Sequence, residues 1–166
     1  MNSATTLRRP GDPPRWLGYA LAAAVFLLDQ AVKYWIIHVV RLQEFGYIDV
    51  APVMNLVWVE NRGVSLGLLA GGGELARWGL TVVTGGISAA VGVWLWRERA
   101  TWDIVALGLV LGGAVGNILD RVRFGYVVDF IHVFAGSFDF KYVFNVADAA
   151  ISMGVALLLL RAVFRR

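Results

Sequence analysis

The sequence predicts an all-α membrane protein with four transmembrane helices, a small extracytoplasmic β element and both termini in the cytoplasm. Hydrophobic residues make up 58% of the 166 residues and charged residues only 16%, whereas soluble domains contain about 45–50% and about 25% respectively. Four apolar stretches also have the length of roughly 17–25 residues that a membrane-spanning helix needs. The mean hydropathy of +0.66 agrees with both observations.

The chain divides into a short tail and one membrane domain. Residues 1–15 are polar and rich in proline and arginine, so we expect a flexible cytoplasmic tail there. Residues 16–166 are predicted to form a single four-helix domain with outer connections at residues 41–77 and 120–143. Its predicted spans are residues 16–40, 78–96, 102–119 and 144–160.

The distribution of basic residues predicts the orientation of these spans. Arginine and lysine collect in the cytoplasmic connections of multi-pass proteins. The tail, the middle connection and the C-terminus carry arginines with few acidic residues, for example Arg8, Arg97 and Arg165. The other two connections contain more acidic residues. Both termini are therefore expected in the cytoplasm, with residues 41–77 and 120–143 on the extracytoplasmic side.

Composition also excludes several kinds of site. The absence of cysteine excludes a disulfide scaffold, a thiolate metal site and a cysteine nucleophile. His38 and His132 do not stand at ligand spacing, so we expect no metal and no other cofactor. The basic residues lie at the ends of apolar runs and do not form a basic face with aromatic platforms, so we expect no nucleic-acid partner.

Two local patterns predict how elements pack. Residues 53–61 alternate in polarity, which predicts an amphipathic strand at the membrane surface. Three glycines recur every four residues in the third span, and this spacing lets a neighbouring helix approach closely. They are Gly108, Gly112 and Gly116.

Charged residues in or beside membrane spans are costly, so each is a candidate functional residue. Asp29 and Lys33 are one helical turn apart and can pair on one face. A purely structural ion pair is equally compatible with that spacing. Asn117, Asp120 and Arg121 end the third span, where Asn117 and Arg121 share a face. The alternative is that Asp120 or Arg121 simply marks the membrane interface and has no role in a site.

Asp129 and Asp148 are the strongest candidates for chemistry. Asp129 lies in an apolar pentapeptide, and Asp148 follows Asn145 by one turn at the start of the fourth span. Two carboxylates that meet in a pocket of low dielectric constant share a proton. An aspartic protease uses one such carboxylate as a base toward water and the other as an acid toward the carbonyl. From spacing alone, a proton relay and two unrelated polar contacts remain as alternatives.

Five short motifs follow one another along the chain: DQAVK at residues 29–33, NRG at 61–63, GGAVGNILDR at 112–121, VDFI at 128–131 and FNVAD at 144–148. Taken in order, they resemble the lipoprotein signal peptidase family, the type II signal peptidases. Each motif is weakly specific, but the series covers about residues 15–162 at compatible spacing. The chain departs from the family at Arg62, where threonine is often found.

The resemblance implies an aspartyl endopeptidase of the bacterial inner membrane. From the predicted topology we expect its site on the extracytoplasmic side, and we also expect a monomer that contacts membrane lipid. Its implied substrates are diacylglyceryl-modified prolipoproteins, which it cuts before the lipidated cysteine to remove the signal peptide. The resemblance assigns Asp129 and Asp148 as the catalytic pair. The matching substrate-binding positions are Asn61, Gly63, Asn117, Arg121 and Asn145. The matching supporting positions are Asp29, Lys33 and Asp120.

Two other classes of function remain open at this point. A small proton-coupled transporter subunit would also need acidic residues in the membrane, but near the bilayer midplane. The acidic residues of this chain cluster at one boundary instead. A membrane assembly scaffold would need no paired carboxylates and would tolerate the loss of either one.

Overall fold

The computed structural model describes residues 15–63, 73–135, 138–139 and 142–164. The predicted flexible tail falls almost wholly on residues 1–14 and so lies outside the described residues. In the described part, four helices are long and apolar enough to cross a membrane. They are α1 (Trp16–Trp35, continued by a π-helical turn over Ile36–Val40), α3 (Glu74–Arg97), α4 (Thr101–Phe124) and α5 (Val146–Phe164). The predicted number of membrane-spanning helices is therefore confirmed.

The helix α4 extends further than the sequence predicts, beyond residue 119 to Phe124. Hydropathy predicts an end at the first charged residues, Asp120 and Arg121. Asp120 is completely buried, and its burial is tolerated because Lys33 pairs with its carboxylate. The helix can therefore continue past the end of its apolar run.

The helix α4 is central, because it packs against α1, α3 and α5. A side chain at Gly108 would place its Cβ atom 2.7 Å from the carbonyl oxygen of Gly18 on α1. Gly112 lies equally close to Ala22 of α1. The predicted close approach along the glycine face is confirmed, and the neighbour is α1.

A four-stranded antiparallel sheet lies beside one end of the helices. Its strands are β1 (Tyr47–Ala51), β2 (Met54–Asn61), β3 (Val127–Ala135) and β4 (Phe138–Asp139), in the order β1-β2-β3-β4. A short helix, α2 (Leu42–Phe45), precedes β1. The strand predicted over residues 53–61 is confirmed as β2. The prediction of an all-α protein with one β element is incomplete, because the second connection also supplies strands.

The sheet packs against the helices through a buried apolar cluster. The cluster consists of Ile36, Leu42, Val128 and Phe130. Leu56 and Trp58, from one face of β2, pack against the same cluster. Removing these side chains from water or headgroups favours this arrangement by roughly 1.5–3 kcal/mol for each large side chain that is fully buried.

A glycine turns the chain from α4 into β3. Gly125 has φ +84°, the left-handed conformation that side chains disfavour, and its N–H donates to the carbonyl of Arg121. The strand β3 then pairs with β2, with Asp129 opposite Val59. This turn therefore brings Asp129 next to the end of β2.

Candidate active site

The two predicted catalytic residues come from different elements that a backbone bridge brings together. Asp129 lies on β3, and Asp148 lies in the first turn of α5. Between them, Phe144 pairs with Ile131: the Ile131 N–H donates to the Phe144 carbonyl at 2.8 Å, and the reverse bond measures 3.0 Å. The start of α5 is therefore attached to β3 directly beside Asp129.

Asp148 is held by the capping of its own helix. The Asp148 N–H donates to Asn145 Oδ1 at 2.9 Å, and the Asn145 N–H donates to Asp148 Oδ2 at 3.4 Å. This reciprocal pair is a capping box, with aspartate in place of the usual glutamate. Negative charge is also favourable in the first turn of a helix. The fold therefore fixes the carboxylate of Asp148 at the start of α5.

Asn145 joins the two aspartates. Its Nδ2 donates to Asp129 Oδ1 at 2.7 Å, while its Oδ1 caps Asp148. The same Nδ2 lies 3.2 Å from Asn117 Oδ1 and from the Val128 carbonyl. Asn145 is 0% exposed, so its polar atoms are engaged inside the protein.

Two further amides complete the hydrogen bonding of the carboxylates. Asn61 Nδ2 donates to Asp129 Oδ2 at 2.9 Å, and Asn117 Nδ2 donates to Asp148 Oδ1 at 2.7 Å. The Gly63 N–H donates to Asn61 Oδ1 at 3.0 Å, which directs the amino group of Asn61 at Asp129. Gly63 has φ +73°, so a glycine suits this turn.

The two aspartates differ in their exposure. Asp129 is 1% exposed, whereas Asp148 is half-buried. The pKa of Asp129 is raised from 3.8 to about 7, first by burial and then by the charge of Asp148, against the opposing hydrogen bonds from Asn61 and Asn145. Asp129 therefore exchanges its proton near neutral pH, under the influence of the charge of Asp148.

A cavity of about 640 Å³ opens beside Asp148. Its wall is mostly apolar and follows the first turns of α5. The lining residues are Asn61, Tyr142, Val143, Phe144, Asp148, Ala149, Ile151, Ser152 and Met153. A largely apolar pocket with a few convergent polar groups is the usual form of a ligand site.

The supporting residues form a buried charged cluster against the site. Lys33 Nζ lies 2.8 Å from Asp29 Oδ2 and 2.7 Å from Asp120 Oδ2. It also donates to Asn117 Oδ1 at 3.3 Å. The predicted pairing of Asp29 with Lys33 is confirmed, and the structure adds Asp120 and Asn117 as partners of the same ammonium group.

This charged cluster holds both backbone segments that carry the aspartates. Asp29 Oδ1 accepts from the Ala147 N–H at the start of α5, at 3.0 Å. Asp120 Oδ2 accepts from the Val128 N–H on β3, at 3.2 Å. Gly116 makes room for Asp29, because a Cβ atom there would lie 2.6 Å from Asp29 Oδ2.

Sequence reasoning missed one member of this cluster. Gln30 Nε2 donates to Asp29 Oδ2 at 3.1 Å and to Asp120 Oδ1 at 3.2 Å. The signal was present, because Gln30 is a polar residue inside a membrane span, next to Asp29. Its amide helps to hold two carboxylates side by side.

Arg121 brings a positive charge to the same region. It lies near the end of α4 and interacts electrostatically with Asp148, Asp129 and Asp120. Among the described residues, its buried Nε has no hydrogen-bond partner. Within the described ranges, no three His, Cys, Asp or Glu side chains are grouped as a metal ion would require.

Together, the fold and the site define a mostly helical, multi-pass membrane protein with two adjoining carboxylates beside an apolar cavity. The sequence model of the family described as signal peptidase (SPase) II matches residues 21–164. The chain belongs to the signal peptidase II family, which is a family of proteases. This confirms the resemblance found in the five motifs.

Individual relatives and solved structures agree. The chain is 49% identical to a lipoprotein signal peptidase of Rhizorhabdus wittichii, over 100% of this chain and 93% of that protein. It is 51% identical to one of Sphingopyxis alaskensis, over 87% and 84% of the two chains. A solved bacterial membrane enzyme with 28% identity superposes with a TM-score of 0.75, covering 89% of this chain and 92% of that one.

Proposed function

We propose that this protein is an aspartic endopeptidase that removes the signal peptide from diacylglyceryl-modified prolipoproteins, cutting before the lipidated cysteine. Membership of the signal peptidase II family and the names of its relatives support the substrate class. The observation that carries the catalytic assignment is the joining of Asp129 and Asp148 through Asn145 at the wall of the cavity.

In the proposed mechanism, Asp148 is the base because it faces the cavity, and Asp129 is the acid because its pKa of about 7 keeps a proton available. Asp148 takes a proton from water, whose oxygen bonds to the scissile carbonyl carbon, and Asp129 protonates the carbonyl oxygen. Asp148 then protonates the leaving nitrogen as the C–N bond breaks. One hydroxyl proton of the intermediate returns to Asp129, which restores the starting state.

The partners of the carboxylates suit this proton transfer. Asp129 and Asp148 accept hydrogen bonds from the neutral amides of Asn61, Asn117 and Asn145. Such donors orient a carboxylate and also tolerate its protonation, since a neutral amide forms no ion pair that would have to be broken. Asn145 is fully buried, so we assign it to holding the two aspartates. Asn61 lines the cavity and can also meet the substrate backbone.

The cavity gives a route for the substrate. Its apolar wall continues down α5 through Ile151 and Met153, toward the middle of the span. A signal helix can lie there in hydrocarbon while its end reaches Asp148. The diacylglyceryl chains would fix its depth, because each buried CH₂ contributes about 0.8 kcal/mol. Such positioning lowers the entropic part of the barrier.

The main test replaces each aspartate by asparagine, which keeps shape and polarity but cannot exchange a proton. Members of a catalytic unit removed singly cost on the order of 10⁴ to 10⁶ in rate. Purified D129N and D148N should therefore leave a lipidated precursor almost uncut in a gel-shift assay. Asp49 is an exposed aspartate on β1, so D49N is a matched control that should cut normally.

Several outcomes would contradict the proposal. Substantial turnover by well-folded D148N would remove the catalytic assignment. Equal single-turnover rates on the lipidated and unlipidated precursor would remove lipid recognition. A wild-type protein that never cuts the lipidated precursor would favour the transporter or scaffold alternative. Cleavage should also persist in EDTA, and metal-dependent recovery after chelation would show that a metal takes part.

We further propose an orientation in the inner membrane that places the sheet and the site on the extracytoplasmic side, with both termini in the cytoplasm. The excess of arginine in the tail, the α3–α4 connection and the C-terminus supports it. The chain has no native cysteine, so V53C should react with a membrane-impermeant thiol reagent in intact cells. A100C should react only after lysis, and the opposite pattern would reverse the orientation.

A further inference from the structure

Arg77, in the first turn of α3, contacts the end of α4 next to the site. The proposed mechanism does not use this residue. Arg77 Nε donates to the Arg121 carbonyl at 2.8 Å, and Arg77 Nη2 donates to the Val122 carbonyl at 2.7 Å. These carbonyls lie in the last turn of α4, where backbone oxygens lack the full set of helical partners; the Arg121 carbonyl accepts from the Gly125 N–H as well as from Arg77. One guanidinium group therefore closes the end of α4 and attaches it to α3.

The Arg77 side chain is itself held in place. Its Nη1 donates to Glu74 Oε1 at 3.0 Å, and its guanidinium carbon lies 5.0 Å from the centre of the Trp78 ring. A planar fork of donors suits two neighbouring carbonyls, whereas a lysine ammonium is a point charge on a flexible stem. The geometry therefore depends on arginine and not on positive charge alone.

The same face of α3 reaches the other side of the site. Leu80 follows Arg77 by three residues, and residues at this spacing share a helix face. A Cβ atom at Gly63 would lie 2.6 Å from Leu80 Cδ1, so this side chain packs directly against the turn. Gly63 holds Asn61, which donates to Asp129.

We infer that Arg77 is a positioning residue for peptide cleavage: by holding the last turn of α4, it fixes the charge of Arg121 opposite the aspartate pair. Among the other membrane-spanning helices, α3 packs mainly on α4, so these two hydrogen bonds are a direct path from α3 to the site. The inference rests on the proposed protease function.

The test compares R77Q and R77K with E74Q in single-turnover and steady-state cleavage of a lipidated precursor. Misplacement of a catalytic group by about 1 Å costs on the order of 10²-fold, so R77Q should lose about 10- to 100-fold in kcat. KM should change by less than about twofold, because the residues that line the cavity lie on neither α3 nor α4. R77K should lie between R77Q and wild type.

The exposed Glu74 is the matched control. E74Q removes the charge of the ion pair but keeps a side-chain oxygen that can accept from Arg77 Nη1, and it leaves both bonds to the α4 carbonyls, so kcat should stay at the wild-type value. Each variant is also assayed for thermal unfolding. A wild-type kcat in R77Q, or a loss that only follows the loss of folded protein, would overturn the inference.

A double variant gives the sharper result. If Arg77 acts through Arg121, R77Q/R121Q should be no slower than R121Q alone, because coupled residues are not additive. Additive losses would overturn the inference. D148N, assayed beside them, keeps the two proposals apart: an active D148N contradicts the catalytic assignment, whereas an inactive D148N with unimpaired R77Q contradicts only the role of Arg77.

Discussion

Two pairs of acidic residues lie next to each other in this protein, and they differ in the groups that bind them. Asp29 and Asp120 share the ammonium group of Lys33, at 2.8 and 2.7 Å. Asp129 and Asp148 accept hydrogen bonds from side-chain amides instead. The first group holds the backbone of β3 and α5, and the second group lies beside the cavity.

The difference shows how the same side chain acquires a structural or a chemical role. A carboxylate paired with a buried cation is fixed, because removing either partner leaves an uncompensated charge. A carboxylate held by amides keeps its position in either protonation state. The raised pKa of Asp129, about 7, follows from burial and from the charge of a second acid, while its hydrogen bonds come from neutral amides. The paired cluster therefore supports the site, while the amide-bonded pair is able to exchange protons.

The largest effect that this comparison predicts is a loss of stability when Lys33 is replaced. K33M would leave Asp29 and Asp120 buried without their cation, and breaking a buried ion pair costs about 3–5 kcal/mol. Chemical unfolding in detergent should show a loss of that order in the free energy of unfolding. D148N should be nearly as stable as wild type, although we expect it to be inactive.

The exposed pair Arg41–Glu44 supplies the control for K33M. E44Q removes a solvent-accessible ion pair, which is worth about 0–1 kcal/mol. If K33M and E44Q destabilised the protein equally, the charged cluster would not have the structural role described above.

A smaller effect is expected from pH, through Asp129. Its folded pKa of about 7 lies above its ordinary value of 3.8, so the native state binds more protons than the unfolded state between these two values. This contribution to stability is therefore greatest below about pH 4, falls as pH rises toward 7, and levels off above. Cleavage should decline over the upper part of that range, as the acid loses its proton.

Unfolding measured from pH 4 to 8 tests this expectation. D129N should lose this part of the pH dependence, whereas D49N should keep it. Parallel stability profiles for wild type and D129N would show that Asp129 does not bind its proton as described.

The smallest effect is expected at Asn61, which gives Asp129 one of its hydrogen bonds. A donor to the ionised form lowers the pKa of an acid, so N61A should raise the pKa of Asp129 further and move the alkaline decline in kcat to higher pH. Turnover should fall about tenfold, in line with one hydrogen bond to a charged group.

Glu60 precedes Asn61 on the same strand and is exposed, so E60Q is the matched control. Its rate profile should follow that of wild type. An unshifted alkaline decline in N61A would show that the amide of Asn61 does not influence the proton of Asp129.

Much of this architecture was determined by the sequence. The four spans follow from hydropathy, which is a sum over neighbouring residues. The Asp29–Lys33 pair follows from a spacing of four in a helix, and the close approach of a neighbouring helix to α4 follows from the spacing of Gly108 and Gly112, although the sequence does not say which helix this is. Asp129 and Asp148 stood out because carboxylates are costly in apolar segments. All of these signals are local in the chain.

Only the tertiary structure decided how those pieces combine. The pairing of β2 with β3 brings Asn61 to Asp129, although two membrane-spanning helices separate these residues in the sequence. No local pattern encodes the register of that pairing. The addition of Asp120 to the Lys33 pair, and of Arg77 to the end of α4, likewise depends on which helices pack. Burial also made Asp129 differ from Asp148, because exclusion from water is a property of the surrounding structure and not of the residue.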